Sequence, residues 1–195
     1  MSELLKIPMF PLTLLPLPGE LIPLHIFEPR YKELLNDTET LDISFGIYCN
    51  HELNKERYGA LMKLESVIKR YPGGEADIIV RCVDVFSMDK LYRTYKSRSY
   101  PGGDVHLKSI DLNEMPGVQI YELFLAYQAK RNIHKHFTSF TVYQIAQELN
   151  FDLYERYKFL TSSATRRDSF LASQLKFQIH ILQQAEKSKD VFHLN

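Results

Sequence analysis

A proline every few residues runs through the most apolar part of the chain, FPLTLLPLPGELIPLHIFEPRY at positions 10–31. Each proline removes a donor and clashes with the preceding turn, so the segment cannot be helix. Pro8, Pro11, Pro16 and Pro18 break the apolar run, and Glu20 ends it short of the ~20 residues a bilayer span needs. Glu3 precedes Lys6, which does not match the positive start of a signal peptide. Extended chain is what remains. The spacing predicts an edge strand from Leu4 to Phe10, where proline is tolerated. A polyproline-like crossing, Leu12 to Gly19, would close with a turn at Pro18-Gly19. Glu20 to Phe27 would form a second strand, with Leu21, Pro23, His25 and Phe27 on one face and Ile22, Leu24 and Ile26 on the other. A strand apolar on both faces belongs in a closed barrel or beneath a helix.

Pro29 suits the first position of a helix, and Tyr31, Leu34 and Leu35 make a helical stripe that Asn36-Asp37-Thr38 would end. From Leu41 to Leu112 the period becomes strand-like, in the runs DISFGIYCN, RYGALMKLESVIKRY, ADIIVRCVDVFSMDKL and YRTYKSRSY. Pro72-Gly73-Gly74 and Pro101-Gly102-Gly103 read as hairpin tips. The expected class is α+β: a small antiparallel β-barrel with one inserted short helix, followed by a helical bundle. Beyond Pro116-Gly117 the helical signals are continuous. Val118, Tyr121, Phe124, Leu125 and Gln128 are expected on one side of the first helix. Thr141-x-x-Gln144 is a capping box, and Asp152-x-x-Glu155 and Thr165-x-x-Asp168 could cap the next two helices. Leu171, Leu175, Gln178 and Leu182 form the seam expected of the last helix. The barrel would span residues 1–115, with residues 116–195 forming a helical bundle packed on it.

Composition narrows the function. Lysines plus arginines number 24, and so do the acidic residues, which leaves no charge footprint of a polyanion binder. Cys49 and Cys82 sit in strand-like contexts and read as buried thiols of a reducing, cytoplasmic protein, although two cysteines could also pair. His134-x-His136 has a metal-like look but no further ligands to complete a tetrahedral set, so no metal and no cofactor is expected.

IPMFPLTLLPLPGELIPLHIFEPRYKELL, followed by SFGIYC and YGALMKLESVIKRYPGGEADIIVRCVDVF, resembles the amino-terminal domain of the ATP-dependent Lon protease. The likeness covers about residues 5 to 112, with its features in the same order. It implies a PUA-like barrel followed by helices, and a part in recognising polypeptide substrates and supporting assembly, not in catalysis. The Gly-x-x-x-x-Gly-Lys-Ser/Thr loop of Lon's motor has no counterpart here, because the chain contains no Gly-Lys pair. Ser97 beside Lys96, and Ser188 beside Lys189, are sequence neighbours and no activated dyad. The chain is therefore expected not to be an enzyme.

The expected role is that of a stand-alone homologue binding unfolded or extended polypeptide, with a protease or chaperone as a further partner. His25, Phe27, Arg30, Tyr31, Tyr92 and Tyr100 are the candidate contact residues, and pairing at a sheet edge would add affinity. His25 otherwise reads as a hydrogen-bonded core or rim histidine, and Arg30 as the local ion-pair partner of Glu28. The rival reading is an RNA-binding PUA-like module. Tyr92, Tyr95 and Tyr100, interleaved with Arg93, Lys96 and Arg98, have the chemistry to stack bases and neutralise phosphates. An ordinary strand with alternating tyrosine and charge would look the same. Residues 141–160 mimic a helix-turn-helix, but Glu155 and Arg156 fit a plain helical hairpin better. No membrane association is expected, and homo-oligomerisation stays open.

Overall fold

The computed structural model describes residues 4–131 and 139–192, with side chains as far as residue 186. The described elements run β1 (Leu4–Leu12), β2 (Leu21–Ile26), α1 (Pro29–Leu41), β3 (Phe45–Cys49), β4 (Tyr58–Arg70), β5 (Ala76–Tyr92) and β6 (Gly102–Leu107). Then come α2 (Val118–Lys130), α3 (Val142–Glu148), α4 (Leu153–Thr161) and α5 (Ala164–Phe192). The chain divides into two compact units, residues 1–112 with 152–157, and residues 113–151 with 158–195.

The strands form one mixed sheet in the order β2-β5-β4-β3-β1-β6, and β5 also pairs with β6. The strands β5, β4, β3, β1 and β6 therefore close a ring, and β2 lies outside it. Residues 76–81 of β5 pair with β2 and residues 86–92 with β6, with β4 on the other side. The class is α+β, as expected.

One pairing departs from the all-antiparallel expectation: β1 and β3 are parallel. A parallel pair needs a long crossover, and β2 with α1 supplies it. Nor is β1 an edge strand. It lies between β3 and β6, yet it changes partner along its length: Leu4–Pro8 pair with β6 and Met9–Leu12 with β3. Pro8 and Pro11 thus each sit where the ladder runs on one side, which is where a missing donor is tolerated. Among the described residues the edge strand is β2, which pairs with β5 alone.

Two further expectations fail in the sheet. Tyr92 is the last residue of β5, and residues 93–100 are turns and bends, not a strand. Tyr95 N–H donates to Tyr100 O at 2.7 Å, and Lys96 has a φ of 53°. Pro101-Gly102-Gly103 is no hairpin tip, because Gly102 and Gly103 open β6 against Pro8 and Ile7. Pro72-Gly73-Gly74, by contrast, turns β4 into β5, with Gly74 at a φ of 83°. Only glycine fits at Gly59, where a Cβ would stand 2.3 Å from the Phe86 ring. Phe86 packs there with Met9, Met88 and Val105 in the core of the first unit.

Helix α1 runs past Asn36-Asp37-Thr38 to Leu41 because the Asp37 and Thr38 side chains have partners that leave the helix intact. Thr38 Oγ1 donates to Leu34 O at 2.7 Å, and buried Asp37 accepts from the Tyr100 hydroxyl at 2.7 Å. In the second unit, Thr141 and Gln144 form the expected capping box. Asp152 and Glu155 exchange the same pair of bonds at 2.8 and 3.0 Å. Helix α5 already begins at Ala164, so Thr165 lies inside its first turn and is no cap. The buried stripe of α2 is Ile120, Phe124, Tyr127 and Gln128. It is rotated from the expected one, which leaves Val118 76% exposed. In α5, Leu171 and Leu175 are fully buried, whereas Gln178 and Leu182 are only partly so. Arg167 is buried, paired with Glu114 and lying 5.6 Å from the Tyr143 and Phe159 ring centres.

Candidate functional site

Strand β2 begins from a turn that fixes which way each of its residues points. Glu20 N–H donates to Leu17 O at 3.0 Å across Pro18-Gly19, with Gly19 at a φ of 79°. Gly19 N–H then reaches Cys82 O at 2.8 Å, and Cys82 N–H reaches Glu20 O at 3.0 Å. Antiparallel alternation carries this phase onward. The backbone groups of Ile22, Leu24 and Ile26 face β5, and those of Leu21, Pro23 and His25 face the open edge. The missing N–H of Pro23 is therefore at that edge.

The side chains sort the same way. Ile22, Leu24 and Ile26 turn inward, while Leu21, Pro23, His25 and Phe27 stand exposed, Leu21 by 48% and Phe27 by 60%. The expectation of burial on both faces holds for one face only. Register places Leu21 opposite Arg81, Pro23 opposite Ile79 and His25 opposite Asp77. Directly opposed residues share a face, so Leu21, Pro23, Ile79 and Phe27 form one outward apolar row. Polar pairs accompany it. Arg81 holds Glu65 through two bonds of 2.8 and 3.0 Å at one end. Between Pro23 and Phe27, His25 Nδ1 lies 2.6 Å from Asp77, whose second oxygen accepts from the Tyr71 hydroxyl at 2.7 Å. The Tyr71 and His25 bonds hold the Asp77 carboxyl below its usual pKa range. Phe27 stacks beside His25 with ring centres 6.0 Å apart.

Of the six residues singled out from the sequence, His25 and Phe27 belong to this face. Arg30 lies close by in the chain, paired with Glu28 at 2.7 Å and with its guanidinium 4.7 Å from the Tyr31 ring centre. Tyr31 is interior, 5% exposed and stacked on Phe10 at 4.0 Å. Tyr100 is interior as well, 1% exposed and bonded to Asp37. These two rings have no open face for a ligand, which corrects their reading as contact residues. Tyr92 is at the opposite end of β5 from Asp77, bonded through its hydroxyl to Asp104 and flanked by Lys6 and Lys90. The six thus fall into His25, Phe27 and Arg30 around the end of β2, Tyr92 by itself at the far end of β5, and two core residues.

A recess missed by sequence reasoning lies on the inner side of β2. Leu14, Leu15, Pro16, Ile22 and Leu153 enclose about 200 Å³ beside the ion pair of Glu20 and Arg156. Nothing local in the sequence pairs residues 136 positions apart. A larger cleft of about 710 Å³ in the second unit is walled by small side chains such as Ala164, Ser169 and Ala172. Among the described residues no group of three or more His, Cys, Asp or Glu could hold a metal. His134 and His136 lie outside the described residues. No described helix is long and apolar enough to cross a membrane.

The chain is similar in structure to a Lon N-terminal domain protein from Xanthomonas campestris. The TM-score is 0.68 and the identity 21%, over 87% of this chain and 98% of that one. The N-terminal domain of the Mycobacterium avium complex Lon protease aligns at a TM-score of 0.46 and 12% identity, over 91% of this chain and 95% of that one. No curated protein matches. The profile of the ATP-dependent protease La (LON) substrate-binding domain matches residues 6–185. With its ring of strands, its outlying β2 and its helices covered by that match, the chain belongs to the LON substrate-binding domain family.

Proposed function

We propose that the chain binds unfolded or extended polypeptide on the outer face of β2 and β5, with no catalysis of its own. The observation that carries this reading is the outward apolar row of Leu21, Pro23 and Phe27 beside half-buried Ile79, with the Arg81–Glu65 pair at one end and the His25–Asp77 pair set between Pro23 and Phe27. An apolar centre with a polar rim suits side chains that a folded protein would hide. The family's description as a substrate-binding domain supports the class of partner. A protease or chaperone would receive the client. The free, buried thiols of Cys49 and Cys82 are consistent with a reducing cytoplasm.

RNA is the less favoured partner. Lys6 and Lys90 lie 4.6 and 5.2 Å from the Tyr92 ring centre, and Tyr95 already stacks on Tyr100 at 5.9 Å. A base would have to displace those contacts.

The test measures affinity for a reduced, unfolded model protein and for a mixed-sequence RNA across a salt series. Phe27→Ala and Leu21→Ala are expected to weaken polypeptide binding, by on the order of 1 kcal/mol if each anchors the contact. Arg93→Gln, Lys96→Gln and Arg98→Gln together should leave that binding unchanged. Polypeptide binding indifferent to Phe27 and Leu21 overturns the face. Steeply salt-dependent RNA binding, weakened by the triple change, overturns the partner class.

A further inference from the structure

We propose that Pro23 bars strand addition at the open edge of β2, so that no continuous main-chain ladder can extend the sheet there. The proposal stands on backbone geometry and does not need the polypeptide reading.

The edge has the makings of an adhesive one. It is the strand that the ring leaves outside, and it carries exposed Leu21 and Phe27. Its outward backbone groups are those of Leu21, Pro23 and His25, by the phase set at Gly19, Glu20 and Cys82. An antiparallel strand laid along this edge must set a residue opposite Pro23, at a position where two residues exchange both bonds. Pro23 has no N–H to give, and its Cδ occupies the space the incoming carbonyl needs. A parallel strand meets the same obstacle, because its bonds also require the N–H of residue 23. Sliding the register by two residues only moves the clash along the incoming chain. Leu21 and His25 keep their donors, but each lies on its own side of the block.

Replacing Pro23 would restore the donor between them. Two copies could then pair about residue 23, with Leu21 exchanging both bonds with the partner's His25, and His25 with the partner's Leu21. A β-branched residue at 23 also favours strand conformation. The partner that fits the unblocked edge is thus a second copy of this chain, in antiparallel register.

Sedimentation of wild type, Pro23→Val, Pro23→Thr and the double variant Pro23→Val/His25→Pro tests this, alongside hydrogen exchange at the Leu21 and His25 amides. Both single variants are expected to self-associate at least about tenfold more tightly than wild type, with new protection at those amides. Returning a proline to the edge at position 25 should abolish the gain. Single variants that associate no more than wild type overturn the proposal, as does association without protection at Leu21 and His25. Loss of folding in both single variants overturns it too, because the nitrogen of Pro23 would then have to matter to the β2–β5 ladder. A loss of polypeptide binding in Phe27→Ala has no bearing on any of these outcomes.

Discussion

Arg156 grips Glu20 through two bonds, Nη1 to Oε2 at 2.6 Å and Nη2 to Oε1 at 2.9 Å, with both side chains largely withdrawn from water. Glu20 also accepts the Leu17 N–H at 2.8 Å, so the carboxylate ties the start of α4 to the turn that launches β2. Removing one partner leaves a half-buried charge behind. Arg156→Ala is expected to lower stability by about 2–3 kcal/mol. A double-mutant cycle with Glu20→Ala should give a coupling energy above about 1 kcal/mol. A cycle that closes at zero would show the two side chains to be independent.

The Tyr100 hydroxyl is the bond that lets Asp37 remain inside α1. Tyr100→Phe leaves the carboxylate with Arg98, 3.0 Å away, as its remaining partner in this group. Urea unfolding should show a loss of about 1–3 kcal/mol. An unchanged midpoint would mean that Asp37 finds water.

The seam of α5 is graded along its length. Leu175 is fully buried, so Leu175→Ala should cost about 2–5 kcal/mol. Leu182 is only partly buried, and its alanine variant should cost less, about 1 kcal/mol. Equal effects in thermal melts would refute this gradient.

Glu33 fastens the 93–101 segment to α1. Its carboxylate accepts the Ser99 hydroxyl and N–H, the latter at 3.0 Å, and pairs with Arg98. The Ser99 bonds, then Arg98, hold its pKa below the ordinary value of 4.5. A depressed carboxylate stabilises the fold above its unfolded pKa, and that contribution fades as pH falls from there through the folded value. Glu33→Gln should therefore flatten the acid side of a melting-temperature profile and leave its slope near neutrality alone. Parallel acid limbs in wild type and variant would rule out this role.

Prolines and period together made much of the first unit legible. The turn at Pro18-Gly19, the alternation along β2 and the start of α1 at Pro29 are local, and each stood where spacing put it. Local pattern misleads where a distant partner decides the outcome. Asn36-Asp37-Thr38 reads as a helix stop until Tyr100 and Arg98 reach across from another segment. Tyr92 to Tyr100 alternates like a strand, but Ser99 and Arg98 are bound by Glu33 and the run turns back on itself. Period cannot reveal which apolar rings lie inside. Tyr31 and Tyr100 share their composition with a binding surface, yet both are core.

The change of partner within β1 has a kinetic consequence. Leu4 pairs with His106 and Pro8 with Gly102, so the seam joins segments on the order of a hundred residues apart. Contacts of such separation slow folding, because the loop between them must be ordered before they contribute. The β4–β5 pairing joins neighbours in sequence, whereas β1 has nothing to join until β3 and β6 are in place. Refolding followed residue by residue should then show the amides of Leu4–Ile7 protected last, so the seam that completes the ring would also set the pace at which it forms.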